Sequence, residues 1–280
     1  MIKINKFAFQ GINGAYSELA GKNIYSEAKS LACSTFEEMF QKVRDGNADV
    51  AMVPIENSQA GRVADTQRLI PESELKIIGE YFLEVKHNLL VIPGTKLIDI
   101  KRIHSHEQGI AQCRNKIINL NKEMIVATDT AGAAKKIEEL NSKEDAAIAS
   151  ELSSKIYNLE ILEENFQDSK NNVTRFLIMA EKMQNFNSDE TNLITTLVFV
   201  VRSIPASLYK CLGGFASNGV NITKLESYVH PQGFDVAQFY IDFEGHPENE
   251  SVKLALEEMK FFCKQMNILG VYKKSFFRKK

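Results

Sequence analysis

The sequence predicts an α/β protein in two parts: a two-lobed domain with a cleft, then a smaller domain of βαββαβ order. Three observations carry this. Up to Ala180, strand-like apolar runs alternate with segments of helical period, the pattern of βαβ units and a mostly parallel sheet. Four polar clusters follow apolar runs: P-I-E-N-S (54–58), S-H-E-Q-G-I-A-Q-C (105–113), T-D-T-A (128–131) and N-N-V-T-R-F (171–176). A polar stretch from Glu181 to Asn192 then precedes a separate group of strands and helices.

In chain order, F-A-F (7–9) reads as a strand. A helix follows on Phe36, Met39, Phe40 and Val43, and A-D-V-A-M-V (48–53) is the next strand. K-R-I-H (101–104) leads into a helix with Ile110, Cys113, Ile117 and Leu120 on one face. E-M-I-V-A (123–127) leads into one with Ala133, Ile137 and Leu140, and A-A-I-A (146–149) into S-E-L-S-S-K-I-Y. The chain leaves one α/β lobe near K-H-N-L-L-V-I-P-G (86–94) and returns through N-V-T-R-F-L-I-M (172–179). The polar clusters sit past the carboxyl ends of strands, where open α/β sheets bind ligands, so they should converge on one crevice.

Residues 1–182 are expected to form the first domain, 183–192 a linker and 193–280 the second domain. There T-T-L-V-F-V-V (195–201) is a strand, and Leu208, Cys211, Leu212 and Phe215 mark a helix stopped by Asn218-Gly219. Two strands joined around Pro231-Gln232-Gly233 follow. A helix on Val252, Ala255, Leu256, Met259 and Cys263 and a strand I-L-G-V-Y (268–272) complete the ferredoxin-like order.

At 280 residues, 44% hydrophobic and with a net charge of −2, the chain suits two ordinary cores and offers no nucleic-acid footprint. No stretch approaches the length of a signal peptide or a membrane span, so a cytoplasmic location without membrane partners is expected. The four cysteines lie far apart without a C-x-x-C pair, which predicts reduced thiols, no metal and no disulfide. The sequons at Asn172 and Asn221 read as accidents of composition. The basic end K-K-S-F-F-R-K-K reads as a solvated tail.

Several residues in the clusters have chemistry suited to an anionic ligand. Ser105 and Gln108 have capping-box spacing, making Ser105 an expected N-cap, and Gln112 lies two turns on and about 20° around the same face. Thr130 can cap its helix and present backbone donors. Arg175 has a planar fork of donors for a carboxylate. On a regular strand Thr174 and Arg175 point to opposite faces, so an ion pair is the alternative for Arg175. Glu56 can hold Arg175 or, if buried, serve as a proton source. His87, in E-V-K-H-N-L-L, reads as a buried, hydrogen-bonded structural histidine.

Taken together with G-I-N-G-A-Y-S (11–17), the four clusters resemble prephenate dehydratase, and with the second domain the resemblance covers nearly the whole chain. It implies a two-lobed periplasmic-binding-protein-like catalytic domain followed by a ferredoxin-like ACT domain that senses amino acids. The implied reaction is the decarboxylating dehydration of prephenate to phenylpyruvate in phenylalanine biosynthesis, without a cofactor. Thr174, Asn57, Ser105 and Gln112 match the family's functional positions. Arg175, Glu56, Ser58, His106, Thr130 and Phe176 are the implied substrate contacts. The proline that commonly follows the family's S-H pair is Glu107 here.

The family's effector segments usually read G-A-L and E-S-R-P, where this chain has Ala206-Ser207-Leu208 and Glu226-Ser227-Tyr228-Val229. The resemblance implies L-phenylalanine bound between paired ACT domains in a homodimer or homotetramer. Asn221, Leu225, Glu226 and Ser227 are lining candidates with Ala206, Ser207 and Leu208. The chain is expected to be monofunctional. Arogenate dehydratase, acting on the amino form of the substrate, is the nearest alternative, and a non-catalytic small-molecule sensor is a remote one.

Overall fold

The computed structural model describes residues 3–230 and 233–279. They form two compact units, Met1–Thr66 with Tyr81–Phe176, and Gln67–Glu80 with Leu177–Lys280.

The first unit begins with β1 (Lys6–Gln10), α1 (Tyr16–Ile24), β2 (Lys29–Cys33), α2 (Phe36–Arg44) and β3 (Val50–Asn57), with β1 parallel to both neighbours. Thr35 starts α2 by accepting a hydrogen bond from the Glu38 N–H, and Met39, Phe40 and Val43 turn inward. Phe7, Phe9 and Val50–Val53 are buried between helices, which is why these strands read as apolar runs without alternation. The chain continues through β4 (Gly61–Arg62), α3 (Ala64–Leu69) and β5 (Lys76–Glu84). The unit boundary falls within β5, because Lys76–Glu80 belongs to the second unit.

The second lobe of this unit comprises β6 (Asn88–Val91), β7 (Arg102–Ser105), α4 (Glu107–Gln112), α5 (Arg114–Asn119), β8 (Glu123–Val126), α6 (Thr130–Leu140), β9 (Asp145–Ala149), α7 (Glu151–Ile156) and β10 (Glu160–Glu163). Its sheet order is β10-β6-β9-β7-β8, with β7 parallel to β8 and β9. Leu89, Ala146 and Ile148 pack on one face with Ile110, Cys113 and Ile117, while Leu90, Ala147 and Ala149 pack on the other with Ala133 and Ile137. The single helix expected through Ile110, Cys113, Ile117 and Leu120 is broken at Cys113, whose φ of −118° leaves the helical region, yet its apolar face stays intact. The chain returns to the first lobe in β11 (Val173–Ala180), beside β3, as the two-lobed layout expected from sequence requires.

In the second unit, β12 (Leu193–Val201), α8 (Ser207–Ser217), β13 (Ile222–His230), β14 (Gly233–Glu244), α9 (Glu250–Phe262) and β15 (Cys263–Lys273) give the ferredoxin-like order, with strands arranged β13-β14-β12-β15. Leu197, Phe199, Phe215, Phe239, Ile241 and Met259 share its core. Gly219, at φ +67°, ends α8 as a left-handed cap. Cys263, expected on the last helix, instead opens β15, because α9 ends at Phe262. Of the expected Pro231-Gln232-Gly233 turn, Pro231 and Gln232 lie outside the described residues.

Two features of this unit were not anticipated. Gly270 of β15 pairs with Ile77 of β5, and a Cβ there would stand 2.1 Å from the Ile77 carbonyl oxygen, so only glycine fits. The basic end is also not a solvated tail. Arg278 makes a bidentate pair with Glu80 at 2.8 and 2.9 Å and reaches Asp242 at 3.3 Å. Both carboxylates are fully buried, and two such charges need a cation beside them. Lys280 lies outside the described residues.

Candidate active site

In the first unit, the end of β3, the start of β11 and the helix starts that follow β1, β7 and β8 surround a cavity of about 400 Å³. Six of the ten catalytic or substrate residues expected from sequence line it: Asn57, Gln112, Thr174, His106, Thr130 and Phe176. Ser105, Ser58, Glu56 and Arg175 are not among the lining residues.

Strand geometry divides the T-R-F tripeptide. Thr174 and Phe176 face the cavity, while Arg175 points away, 1% exposed, with its Nη1 3.1 Å from Glu56 Oε1 and its guanidinium 6.0 Å from the Phe82 ring centroid. The ion-pair alternative therefore describes Arg175, which is not among the residues lining the cavity. Ser58 closes the loop after β3, its hydroxyl donating to the Asn171 carbonyl at 3.0 Å and accepting from the Val173 N–H at 2.9 Å.

Ser105 is not an N-cap. As the last residue of β7 it is fully buried and donates its hydroxyl to the Ile148 carbonyl on β9 at 2.8 Å. The cap of α4 falls one residue later, where His106 Nδ1 accepts from the Gln108 N–H. Likewise Asp129, not Thr130, caps α6 by accepting from the Gly132 N–H at 2.7 Å, leaving Thr130 in the first turn.

A connected set of polar side chains crosses the cavity. Asn57 Nδ2 lies 2.9 Å from Thr174 Oγ1 and 2.7 Å from Asn172 Oδ1. Asn172 Nδ2 lies 2.8 Å from Gln112 Oε1, which is 2.7 Å from His87 Nε2, and His87 Nδ1 is 2.7 Å from the Tyr16 hydroxyl. Burial lowers the His87 pKa, with the Gln112 bond opposing it, and burial raises that of Tyr16 well above the usual phenol value. His87 is thus the buried, hydrogen-bonded histidine expected, but it also lines the cavity. Sequence reasoning quoted Tyr16 and Asn172 within motifs and gave neither a place here. Their signal, polar residues next to motif positions, was present.

Among the described residues no lysine or arginine lines the cavity. Its donors are amides, hydroxyls, imidazoles and the backbone at the starts of α1 and α6.

In the second unit the expected effector residues do not gather in one place. Asn221 stands at one end of the sheet, its carbonyl accepting from the Glu244 N–H, and Glu244 pairs with Ile194 at the start of β12. Ala206, Ser207 and Leu208 follow the other end of that nine-residue strand, roughly 25–30 Å away. Leu225, Glu226 and Ser227 lie between, on β13. Glu226 pairs with Lys224 and accepts from Gln67 of α3, a partner that sequence gave no reason to expect. Ala206 has φ +59°, the left-handed region where the family has glycine.

Fold and cavity together define a two-lobed α/β enzyme acting on a small molecule. The family model described as prephenate dehydratase matches residues 7–184, and the chain belongs to that family. It is 46% identical over 273 residues to a bifunctional N-acyl-homoserine lactone acylase/prephenate dehydratase of Komagataeibacter europaeus, covering 98% of this chain and 97% of that one. It is 37% identical over 279 residues to a chloroplastic arogenate dehydratase/prephenate dehydratase of Arabidopsis thaliana, covering 95% and 72%. Among solved structures, one described as a novel type of quorum-quenching acylase matches at 45% identity and TM-score 0.92, over 98% of this chain and 99% of that one. The Arthrobacter aurescens prephenate dehydratase in complex with L-Phe matches at 30% identity and TM-score 0.85, over 96% and 90%.

Proposed function

We propose that the chain converts prephenate to phenylpyruvate, carbon dioxide and water. The observation that carries this is Thr174, a hydroxyl on the cavity wall held by Asn57, in a chain of the prephenate dehydratase family. In the reaction the bond to the ring carboxylate breaks and its electron pair enters the ring. The ring hydroxyl departs with the C–O pair and takes a proton to leave as water. The drive is aromatisation of the substrate, so the protein has to position the ring, exclude water and place donors at the departing oxygen. An aliphatic hydroxyl is too weak an acid to protonate the leaving group, and Thr174 acts as a hydrogen-bond donor whose bond strengthens as hydroxide character develops.

Substrate carboxylates meet no side-chain cation of the described residues in this cavity. Backbone donors at the starts of α1 and α6, where the helix dipoles are positive, and His106 take that part. Ser105 and Gly109 act behind the wall: a Cβ at Gly109 would stand 2.5 Å from Ser105 Oγ. Arg175 and Glu56 brace β11 against β3 and act through Thr174 and Asn57, their sequence neighbours.

Residues 193–280 we assign as an ACT regulatory domain, with 183–192 as the linker from the catalytic residues 1–182. L-phenylalanine is its effector, as the ligand in the Arthrobacter structure suggests. Asn221 and Ala206–Leu208 lie at opposite ends of one sheet, so a site using both is assembled from two chains, which supports a homodimer or a tetramer of such pairs. Among the described residues no helix is long and apolar enough to cross a membrane, and a cytoplasmic location fits this role.

Incubating the purified protein with prephenate tests the reading: phenylpyruvate formation supports it, and inactivity on both prephenate and arogenate overturns it. Turnover on arogenate alone transfers the reading to the amino substrate. An N-acyl-homoserine lactone run alongside asks whether the other activity named for the Komagataeibacter relative extends to this chain.

A further inference from the structure

The polar chain across the cavity has one permitted direction, and the backbone sets it. The N–H groups of Gln59 and Ala60 both point at Asn57 Oδ1, at 2.9 and 2.8 Å. A backbone N–H can only donate, so this atom is the amide oxygen and the Asn57 nitrogen faces the other way. That nitrogen donates to Thr174 Oγ1 and Asn172 Oδ1. Asn172 Oδ1 being the acceptor, its nitrogen donates to Gln112, and the Gln112 atom it meets is the oxygen. The same oxygen lies against His87 Nε2, which must carry the ring proton. Burial favours the neutral ring, so Nδ1 holds a lone pair and faces the Tyr16 hydroxyl at 2.7 Å, whose single proton lies between this nitrogen and the Lys86 carbonyl at 3.0 Å.

The consequence falls on the cavity. Thr174 accepts from Asn57, so its own proton is uncommitted among the described residues. Gln112 has its oxygen filled by two donors, so its NH2 group is uncommitted in the same sense, and both residues line the cavity. Along this run of side chains the acceptors are consumed inside the wall, and the Thr174 proton and the Gln112 NH2 remain for the ligand. Asn172, 1% exposed, is the link that transmits this direction from the loop after β3 to Gln112.

We propose that Asn172 is a positioning residue that fixes the Gln112 amide as a donor toward the substrate and His87 as its Nε2–H tautomer. The consequence for turnover rests on the dehydratase reading above; the tautomer assignment does not.

Asn172→Asp is the informative change. A carboxylate still accepts from Asn57, leaving Thr174 as it was, but its second oxygen opposes the Gln112 oxygen. The Gln112 amide then reverses, its NH2 turns inward to Asp and His87, and the ring proton moves to Nδ1.

The experiment labels the five histidines with 15N and assigns the His87 tautomer by NMR in wild type and Asn172→Asp, with steady-state kinetics on prephenate in parallel. The expected wild-type ring at neutral pH is neutral and protonated on Nε2. In the variant the proton is on Nδ1, and kcat falls about 100-fold with KM within about threefold, the scale of losing one oriented donor. A wild-type ring protonated on Nδ1, or on both nitrogens, overturns the proposal, and this arm needs no variant to fold. A variant that keeps the Nε2–H tautomer overturns it whatever its rate, because a loss of rate alone would mark a structural role. A tautomer switch with unchanged kcat overturns the donor role of Gln112. A wild type inert on prephenate and arogenate overturns the dehydratase reading and the kinetic consequence with it, while the tautomer arm still decides the direction of the chain.

Discussion

Asn57 donates its side-chain amide to the Thr174 hydroxyl at 2.9 Å, across 117 residues of sequence, from the end of β3 to the start of β11. The bond ties the two adjacent strands at the point where they open onto the cavity. It also makes Thr174 the acceptor, which leaves its proton for the ligand.

Asn57→Asp reverses that relationship. The carboxylate can still accept from Gln59 and Ala60, but it has no proton to give Thr174 and instead captures the hydroxyl proton. The expected outcome is a fall in kcat of about 100-fold or more with the fold retained, measured by steady-state turnover and circular dichroism.

Arg175→Ala acts on stability first. Removing a guanidinium that is 1% exposed leaves Glu56 without the cation 3.1 Å away and opens a gap beside Phe82, at a cost of about 3 kcal/mol, read from the urea midpoint. Arg175→Lys keeps the charge and should recover part of that loss, with KM for substrate within about threefold of wild type. A KM that rises a hundredfold in the lysine variant would place Arg175 on the substrate instead.

How much of this was legible in sequence depends on distance along the chain. The alternation on β11 sets Thr174 and Arg175 on opposite faces from sequence alone, because period two is a local property. The α8 stop at Gly219 was legible for the same reason. Ser105 looked like a cap because the S-x-x-Q spacing is local, but its hydroxyl is taken by the Ile148 carbonyl, 43 residues away on the adjacent strand. The basic end looked solvated because its partners, Glu80 and Asp242, are 198 and 36 residues distant. Asn172 reads in sequence only as a chance sequon, and its contacts with Asn57 and Gln112 reveal its place.

Ala206 sits at φ +59°, where a Cβ crowds the backbone and costs about 1 kcal/mol. Ala206→Gly removes that cost, and the expected result is a gain in stability of up to about 1 kcal/mol, offset partly by the greater freedom of glycine in the unfolded chain. A lowered melting temperature would contradict it.

Asp145 is expected to contribute to the acid dependence of stability. Hydrogen bonds from Arg102 at 2.7 and 2.8 Å hold its carboxyl well below the usual carboxylate range, with burial opposing and His104 at 2.7 Å and Ser142 assisting. Its folded pKa is depressed, so the stabilisation is complete above about pH 4, the unfolded value, and is lost as pH falls toward the folded one. Melting temperatures measured from pH 7 to 3 should fall more steeply in wild type than in Asp145→Asn, which starts lower and lacks that titration. Parallel curves would remove Asp145 from the account.

The most direct test of the central claim is phenylpyruvate formation from prephenate by wild type and Thr174→Ala under identical conditions. The expected result is turnover by wild type and a loss of about 100-fold or more in kcat in the variant, with the fold unchanged by circular dichroism. A folded Thr174→Ala protein that turns over prephenate at the wild-type rate would contradict it.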